Sequence, residues 1–311
     1  MFSSPQVTGR SMFSSKVAVE SPDSTYPSAR QLCQDYQIQP KKAWGQNFLD
    51  RGPSIQKILS PFELSPESLV LEIGPGLGHL SQAILATGAQ LIAIEIDQDL
   101  QAVLTDLADH YPKFQVLYSP AQDLDWRQVI AGHSCHFGSL YVMGNLPYYL
   151  SSELYAKALL ELWHAQAMSF LLQREVSERF AHAPGSKLYG PLSVLGQTYG
   201  QVRLGERLKA SAFYPPPSIE SRVLILKKGI QDLIQPDQLA NYWAFLQAAF
   251  QTRRKTLTNN LAGSPWASGQ NAQALSSILN DVKIKPAARA EDLSASQFVQ
   301  IFERLNPSPN R

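Results

Sequence analysis

The stretch SLVLEIGPGLG, residues 68–78, constrains the fold more than any other part of the chain. Leu69–Ile73 is apolar at nearly every position, the pattern of a strand covered on both faces in a parallel sheet. Gly74, Gly76 and Gly78 then turn the chain tightly into a helix over His79–Thr87, which Gly88 closes. A second apolar strand is expected at Leu91–Ile96, a helix at Asp99–His110 and a strand at Phe114–Tyr118. This β-α-β-α-β order with short links implies an α/β fold with a doubly wound parallel sheet. The pattern continues through a strand at Leu140–Asn145, a helix at Ser152–Leu162, a strand at Ala167–Leu172 and a helix at Arg174–Phe180. A strand at Ser221–Leu226, after the prolines Pro215 to Pro217, would finish the sheet.

Beyond Lys228 the pattern changes. Trp243, Leu246, Phe250, Leu257 and Leu261 recur at helical spacing and predict one helix over Tyr242–Leu261. A second is expected over Asp292–Leu305. The organisation read from the sequence is a disordered tail over 1–30, an α/β domain over 31–228 and a small helical domain over 229–311. The tail is rich in Ser, Pro and Gln and lacks apolar periodicity. MFSS occurs in it at Met1 and again at Met12, so either could start translation, and the arginine-rich amphipathic pattern of a transit peptide is missing.

Two widely separated cysteines, Cys33 and Cys135, give no disulfide framework and fit a reducing, cytoplasmic compartment. No apolar run reaches the ~18 residues of a membrane span, and no membrane partner is expected. The spacing in HSCH (His133–His136) is too tight for an ordinary zinc site, so no metal is expected. The net charge is +1, but from Arg222 onward there are eleven Lys or Arg against six Asp or Glu, leaving −4 on the remainder. A basic C-terminal part can meet a polyanion.

The glycine loop lies between a strand and a helix, where backbone amides are unsatisfied and a ligand can approach closely. Glu95, 21 residues after Gly74, ends the next strand, where a carboxylate accepts hydrogen bonds from ribose hydroxyls; Asp97 competes for that role. The third small residue of a dinucleotide fingerprint is replaced by His79, and Glu72 precedes the loop. An acid there suits the ammonium end of S-adenosyl-L-methionine better than a pyrophosphate.

The fourth strand ends in Asn145-Leu146-Pro147-Tyr148. Pro147 stiffens the turn, so the Asn145 side-chain oxygen and the Leu146 carbonyl can both accept from one exocyclic amino group. Tyr148 supplies a face on which a base stacks, worth ~1–3 kcal/mol. Phe213, beside the proline run, is the expected second aromatic face around a flipped base.

These segments together resemble one family, the ribosomal RNA adenine N6,N6-dimethyltransferases of the small subunit. The likeness runs from about Pro40 to Leu305 and rests on KKAWGQNFLD, VLEIGPGLGHL, AIEID, GNLPY, FLLQREVSERF, YGPLSV, FYPPP, FQTRRKTLTNNL and KPAARAEDLS. The resemblance implies a class I (Rossmann-like) methyltransferase sheet, the cofactor S-adenosyl-L-methionine, and dimethylation of two adjacent adenosines in the 3′-terminal hairpin of small-subunit rRNA. The partner it implies is a pre-ribosomal, 30S-type particle, and the chain is expected to be a monomer. Asn47 and Leu49 would line the cofactor, Gly74 and Gly76 would hold its amino-acid end, Glu95 its ribose, and Asn145 would serve cofactor and target. Where the family has an acid after the third strand, this chain has Pro120, and Asp123 is the expected substitute. Arg253, Arg254 and Lys255 are expected to contact RNA phosphates, with Arg222, Lys227 and Lys228 as weaker candidates. Macrolide-resistance methylases of the large subunit share GQNFL-like and NLPY-like motifs, and a non-catalytic assembly factor is the third reading.

Overall fold

The computed structural model describes residues 26–41, 44–133, 136–267 and 272–306. The expected tail over 1–25, with both MFSS copies, and Cys135 lie outside them. The order of strands is β1 (Phe48–Leu49), β2 (Ser68–Ile73), β3 (Gln90–Glu95), β4 (Phe114–Tyr118), β5 (Ser139–Asn145), β6 (Ala167–Gln173), β7 (Gly200–Leu208), β8 (Phe213–Tyr214) and β9 (Ser221–Lys228). The α-helices are α1 (Ala29–Asp35), α2 (Pro53–Leu59), α3 (His79–Leu85), α4 (Gln101–His110), α5 (Trp126–Ala131), α6 (Ser151–Glu161), α7 (Arg174–Ala181) and α8 (Pro191–Tyr199), then α9 (Leu239–Ala249), α10 (Leu257–Leu261), α11 (Ala272–Asp281) and α12 (Ala295–Leu305).

Seven strands form one sheet in the order β4-β3-β2-β5-β6-β9-β7. The pairs among β4, β3, β2, β5 and β6 are parallel, and β9 runs antiparallel to both β6 and β7. The strand order reverses between β2 and β5, so a crevice opens at the C-terminal ends of these neighbours. Side chains alternate between two cores. Leu69, Leu71, Ile73 and Val142 face one cluster with α6, α8 and the C-terminal helices. Val70, Leu91, Tyr141 and Met143 face the other, with α1 to α4. Burial on both faces is why these strands read as continuous apolar runs.

Several expectations change. The sheet does not end at β9: β7 lies outside it as the edge strand, preceded by α8, and neither element was expected. The β7 sequence GQVRLGERL is polar on its open side, as an edge that meets water must be. Residues 26–30 are ordered, contrary to the expected tail. The Tyr26 ring packs edge-on against His79 at 5.1 Å and its hydroxyl donates to the Leu77 carbonyl at 2.8 Å. Ser28 then caps α1. Beyond β9 the chain is helical, but its core is continuous with the sheet: Tyr242 bonds Thr198 of α8 at 3.0 Å and packs on Phe302.

The single helix expected over Tyr242–Leu261 is two. The chain leaves helical geometry after Ala249, and Thr256 starts α10 by accepting from the Asn259 amide. Buried Asn260 stabilises the break, its amide donating to the carbonyls of Ala249 at 2.7 Å and Thr252 at 3.1 Å. Periodicity survived the break because both pieces bury the same side, and the polar anchor at Asn260 carried the missed signal. Replacing Asn260 with Ala takes that donor from the buried Ala249 carbonyl and the half-buried Thr252 carbonyl, and a loss of about 1–3 kcal/mol is expected in urea unfolding. An unchanged midpoint would remove Asn260 as the anchor of the break.

Candidate active site

A cleft opens at the C-terminal ends of β2, β3 and β5. Its floor is the glycine loop. Gly74, Gly76 and Gly78 all hold positive φ, at 71°, 57° and 82°. A Cβ on Gly76 would come within 3.0 Å of the Phe48 ring, and one on Gly78 within 2.8 Å of Leu107. Gly76 and Gly78 are therefore kept without side chains for two internal reasons, a strap that crosses over the first and the packing of α3 on α4 at the second. The strap is the segment 44–49, held by antiparallel pairing of β1 with β8, Phe48 opposite Tyr214 and Leu49 opposite Phe213.

Three acids near the mouth have different fates. Glu95 is buried, and its carboxylate accepts from the amides of Asp97 at 2.9 Å and Gly76 at 3.2 Å. Burial pushes it up to about 7, against these two donors and with help from the Asp97 charge. Glu72 is more deeply buried, and its carboxylate accepts from the Ser81 hydroxyl at 2.6 Å. Burial raises it to about 8, opposed by that hydrogen bond and reinforced by Glu95. Asp97 is pulled below the ordinary range. Burial works against this, but the donors Lys41 and Gln46, each at 2.6 Å, together outweigh it. Glu72 and Glu95 line the cleft, whereas Asp97 does not. The cleft thus presents two buried carboxyl groups with no Lys or Arg among its described lining residues, and His79, which also lines it, is held toward its neutral form by burial; this environment favours a ligand bringing hydroxyl donors or a cationic group.

On the opposite wall stands the NLPY turn. Asn145 donates its side-chain amide to the Asn47 carbonyl at 3.2 Å. Its Oδ1 therefore remains the acceptor, and among the described residues no donor reaches either that oxygen or the Leu146 carbonyl. Leu146 is anchored by its amide on the Leu171 carbonyl at 3.2 Å. The Tyr148 hydroxyl lies 3.3 Å from Ser221 Oγ, which ties its ring to β9.

Asn47, Leu49, Gly74, Gly76, Glu95, Asn145, Leu146, Pro147 and Tyr148 all line this cleft. Phe213 and Asp123 do not. Phe213 is buried in the core where β8 pairs with Leu49, so the expected aromatic face is turned inward. Tyr149, 63% exposed, is the second aromatic on the wall. Asp123 points to solvent, and Gln122 of the same loop lines the cleft instead. Two of the expected phosphate contacts have partners within the protein. Arg222 pairs with Glu178 at 3.3 Å and donates to the Gly205 carbonyl. Arg253 pairs with Glu291 at 2.9 Å and donates to the Lys187 carbonyl. Arg254 and Lys255 are exposed, in the turn between α9 and α10 rather than on a helix. His133 bonds Gln90 at 2.7 Å, and Cys33 is a buried free thiol. Among the described residues no helix is long and apolar enough to cross a membrane.

A raised carboxylate has a signed consequence for stability. Below pH 4.5, the ordinary value, Glu72 is protonated in both folded and unfolded chains and contributes no pH dependence. Between 4.5 and about 8 the unfolded chain loses the proton while the folded one keeps it, so stability falls as pH rises. Glu72→Gln, always neutral and still able to accept from Ser81, should gain thermal stability over the unmodified chain progressively from pH 5 to pH 8. A Tm difference that stays flat across that range would show that Glu72 is not held protonated.

Residues 38–307 match the profile of the family described as "Ribosomal RNA adenine dimethylase". The "Ribosomal RNA small subunit methyltransferase A" of Natranaerobius thermophilus is 34% identical over 286 residues, covering 88% of this chain and 94% of that protein. The protein of the same name from Syntrophotalea carbinolica is 38% identical over 268 residues, covering 86% and 97%. Among solved structures, a dimethyladenosine transferase from Plasmodium falciparum superposes with a TM-score of 0.69 at 20% identity, covering 83% of this chain and 97% of that one. The 23S rRNA methyltransferase ErmE superposes with a TM-score of 0.61, also at 20% identity, covering 84% and 100%. At that identity the two structures speak for the fold alone, a class I methyltransferase sheet. The match over most of the chain, with relatives above 30% identity along nearly their whole length, shows that this protein belongs to the ribosomal RNA adenine dimethylase family of methyltransferases.

Proposed function

We propose that this protein dimethylates N6 of two adjacent adenosines in the 3′-terminal hairpin loop of small-subunit rRNA, acting as a single chain on a maturing, 30S-type particle in the cytoplasm. The observation that carries the reading is the Asn145 amide, whose nitrogen is engaged by the Asn47 carbonyl so that its oxygen is left as an acceptor at the cleft wall. S-adenosyl-L-methionine, when bound, supplies an electrophilic methyl group. The cleft suits it: Glu95 keeps acceptor capacity for ribose hydroxyls, Glu72 offers a buried carboxyl toward a cationic end, and Gly74 and Gly76 present backbone with no Cβ. Gln122, rather than Asp123, offers a side-chain oxygen to an adenine amino group in place of the acid that Pro120 replaces.

The target adenosine presents an amino group with two N–H donors. Asn145 Oδ1 and the Leu146 carbonyl accept both, which draws the nitrogen lone pair out of conjugation with the ring. Positioning of this kind supplies much of the rate for a neutral nucleophile and a good leaving group. Each transfer forms an N–C bond as the C–S bond breaks, with the neutral thioether as leaving group and one N–H proton lost to solvent; after the first a single N–H remains, and one acceptor suffices to hold the amine for the second. Tyr148, tethered to Ser221, stacks on the base, and exposed Tyr149 lies beside it on the wall.

With purified small subunits lacking the modification, Asn145→Ala should lower methyl transfer at least about a hundredfold while far-UV circular dichroism and rRNA affinity stay near the unmodified chain's. Transfer to large subunits instead would make this a large-subunit methylase. Lack of binding heat with S-adenosyl-L-methionine at millimolar concentration would favour a non-catalytic assembly factor. The exposed pair Arg254 and Lys255 is the proposed phosphate contact. Arg254→Ala with Lys255→Ala should weaken rRNA binding and flatten its salt dependence by about one unit of log–log slope per lost contact. An unchanged slope would take this turn off the RNA face.

A further inference from the structure

The strap that carries Asn47 is closed at two ends by different means. At one end β1 pairs with β8, and the Asp50 amide donates to the Ala212 carbonyl at 2.9 Å. At the other end side chains do the holding. Lys41 Nζ lies 2.6 Å from Asp97 Oδ1 and 2.6 Å from Asp99 Oδ2, and 4.6 Å from the centre of the Trp44 ring. Gln46 Nε2 donates to Asp97 Oδ2 at 2.6 Å, and Gln46 Oε1 accepts from the Lys41 amide at 2.8 Å. Asp97 is itself immobilised: its backbone amide donates to Glu95 Oε1, and Oδ1 accepts from the Asp99 amide at 3.1 Å. At 1% exposure it is a buried carboxylate with both oxygens engaged, which is the condition for keeping a charge there.

Between the two anchors sits the Asn47 carbonyl, which accepts the Asn145 amide. A carboxamide turned by half a rotation exchanges its oxygen and nitrogen, and the turned form would aim donors at the amino group it has to hold. The Asn47 carbonyl is an acceptor only, so it selects the productive orientation, provided the strap is in register.

We propose that Asp97 is a positioning residue for methyl transfer: with Lys41 and Gln46 it forms a latch that keeps the strap in the register where the Asn47 carbonyl sets the Asn145 amide. The proposal rests on the role given to Asn145 above. It also gives Asp97 a task other than the ribose contact expected from its place after β3, because Asp97 faces the strap and not the cleft.

The test uses the full chain with Asp97→Asn, Lys41→Met, Gln46→Leu and the Asp97→Asn/Gln46→Leu double variant. Asp97→Asn retains a side chain able to accept from the Asp99 amide, Gln46 lies on the strap and Lys41 precedes it outside the sheet, so at least two of the three sites spare the sheet. Hydrogen exchange read by mass spectrometry, with neither substrate present, should show faster exchange over 44–49 in every variant and no change in peptides from β2 or β5. In steady-state transfer from S-adenosyl-L-methionine to unmodified small subunits, kcat should fall about ten- to a hundredfold while KM for the subunit changes less than about threefold. The double variant should be no worse than the poorer single one, because both substitutions open one latch. Unchanged exchange over 44–49, a loss confined to KM, or additive losses in kcat would each overturn the proposal. If the unmodified chain transfers no methyl group to small subunits, the proposed reaction fails. The exchange data then still decide whether Asp97 closes the strap.

Discussion

The hydrogen bond from the Asn145 amide to the Asn47 carbonyl spans 98 positions of sequence and joins the two walls of the cleft. One wall is the end of a sheet strand, fixed by parallel pairing on both sides. The other is a strap that has no strand pairing with the main sheet. It is positioned by a two-residue ribbon at one end and by ionic and amide contacts to Asp97 at the other. Without the strap, the Asn145 amide would have no fixed sense, and a carboxamide with no fixed sense cannot distinguish a donor from an acceptor. The glycine loop serves the same joint, since a side chain on Gly76 would strike Phe48 of the strap.

Charge in this site is governed by burial more than by count. Glu72, Glu95 and Asp97 lie within a short reach of one another, yet among the described residues only Asp97 has an ion-pairing Lys or Arg beside it. The other two face the cleft without one, and burial lifts both toward neutrality near physiological pH. Such groups are costly to the empty fold and become useful when a ligand supplies donors or positive charge, so the free energy of binding offsets what folding had to bear. A methyltransferase that binds a cationic sulfonium cofactor has a use for that arrangement, and membership of the rRNA adenine dimethylase family is consistent with it.

The basic C-terminal part shows how far charge counting reaches. Of the cations expected to meet RNA, Arg222 and Arg253 are bound to Glu178 and Glu291 within the protein, where they brace β9 and the turn after α9. Arg254 and Lys255, beside Arg253 in sequence, extend outward. Neighbouring residues of the same charge therefore do different work, and what separates them is whether a carboxylate from a distant segment comes within reach.

Local patterns in the chain were enough to specify the parallel sheet, the glycine turn, the acid at the end of β3 and the NLPY turn after β5. Each of these is local: apolar runs, left-handed backbone positions and a proline act within a few residues of where they stand. Such patterns did not show that β7 forms the sheet edge, because a half-exposed edge strand carries no continuous apolar run. Nor did they show the break between α9 and α10, since both pieces bury the same side and the anchor is one asparagine reaching back across a turn. Only the tertiary structure turned Phe213 inward, put Gln122 rather than Asp123 on the cleft, and gave Asp97 to the strap. Those outcomes depend on which distant segments meet, and the packing that brings them together is set by the whole chain at once.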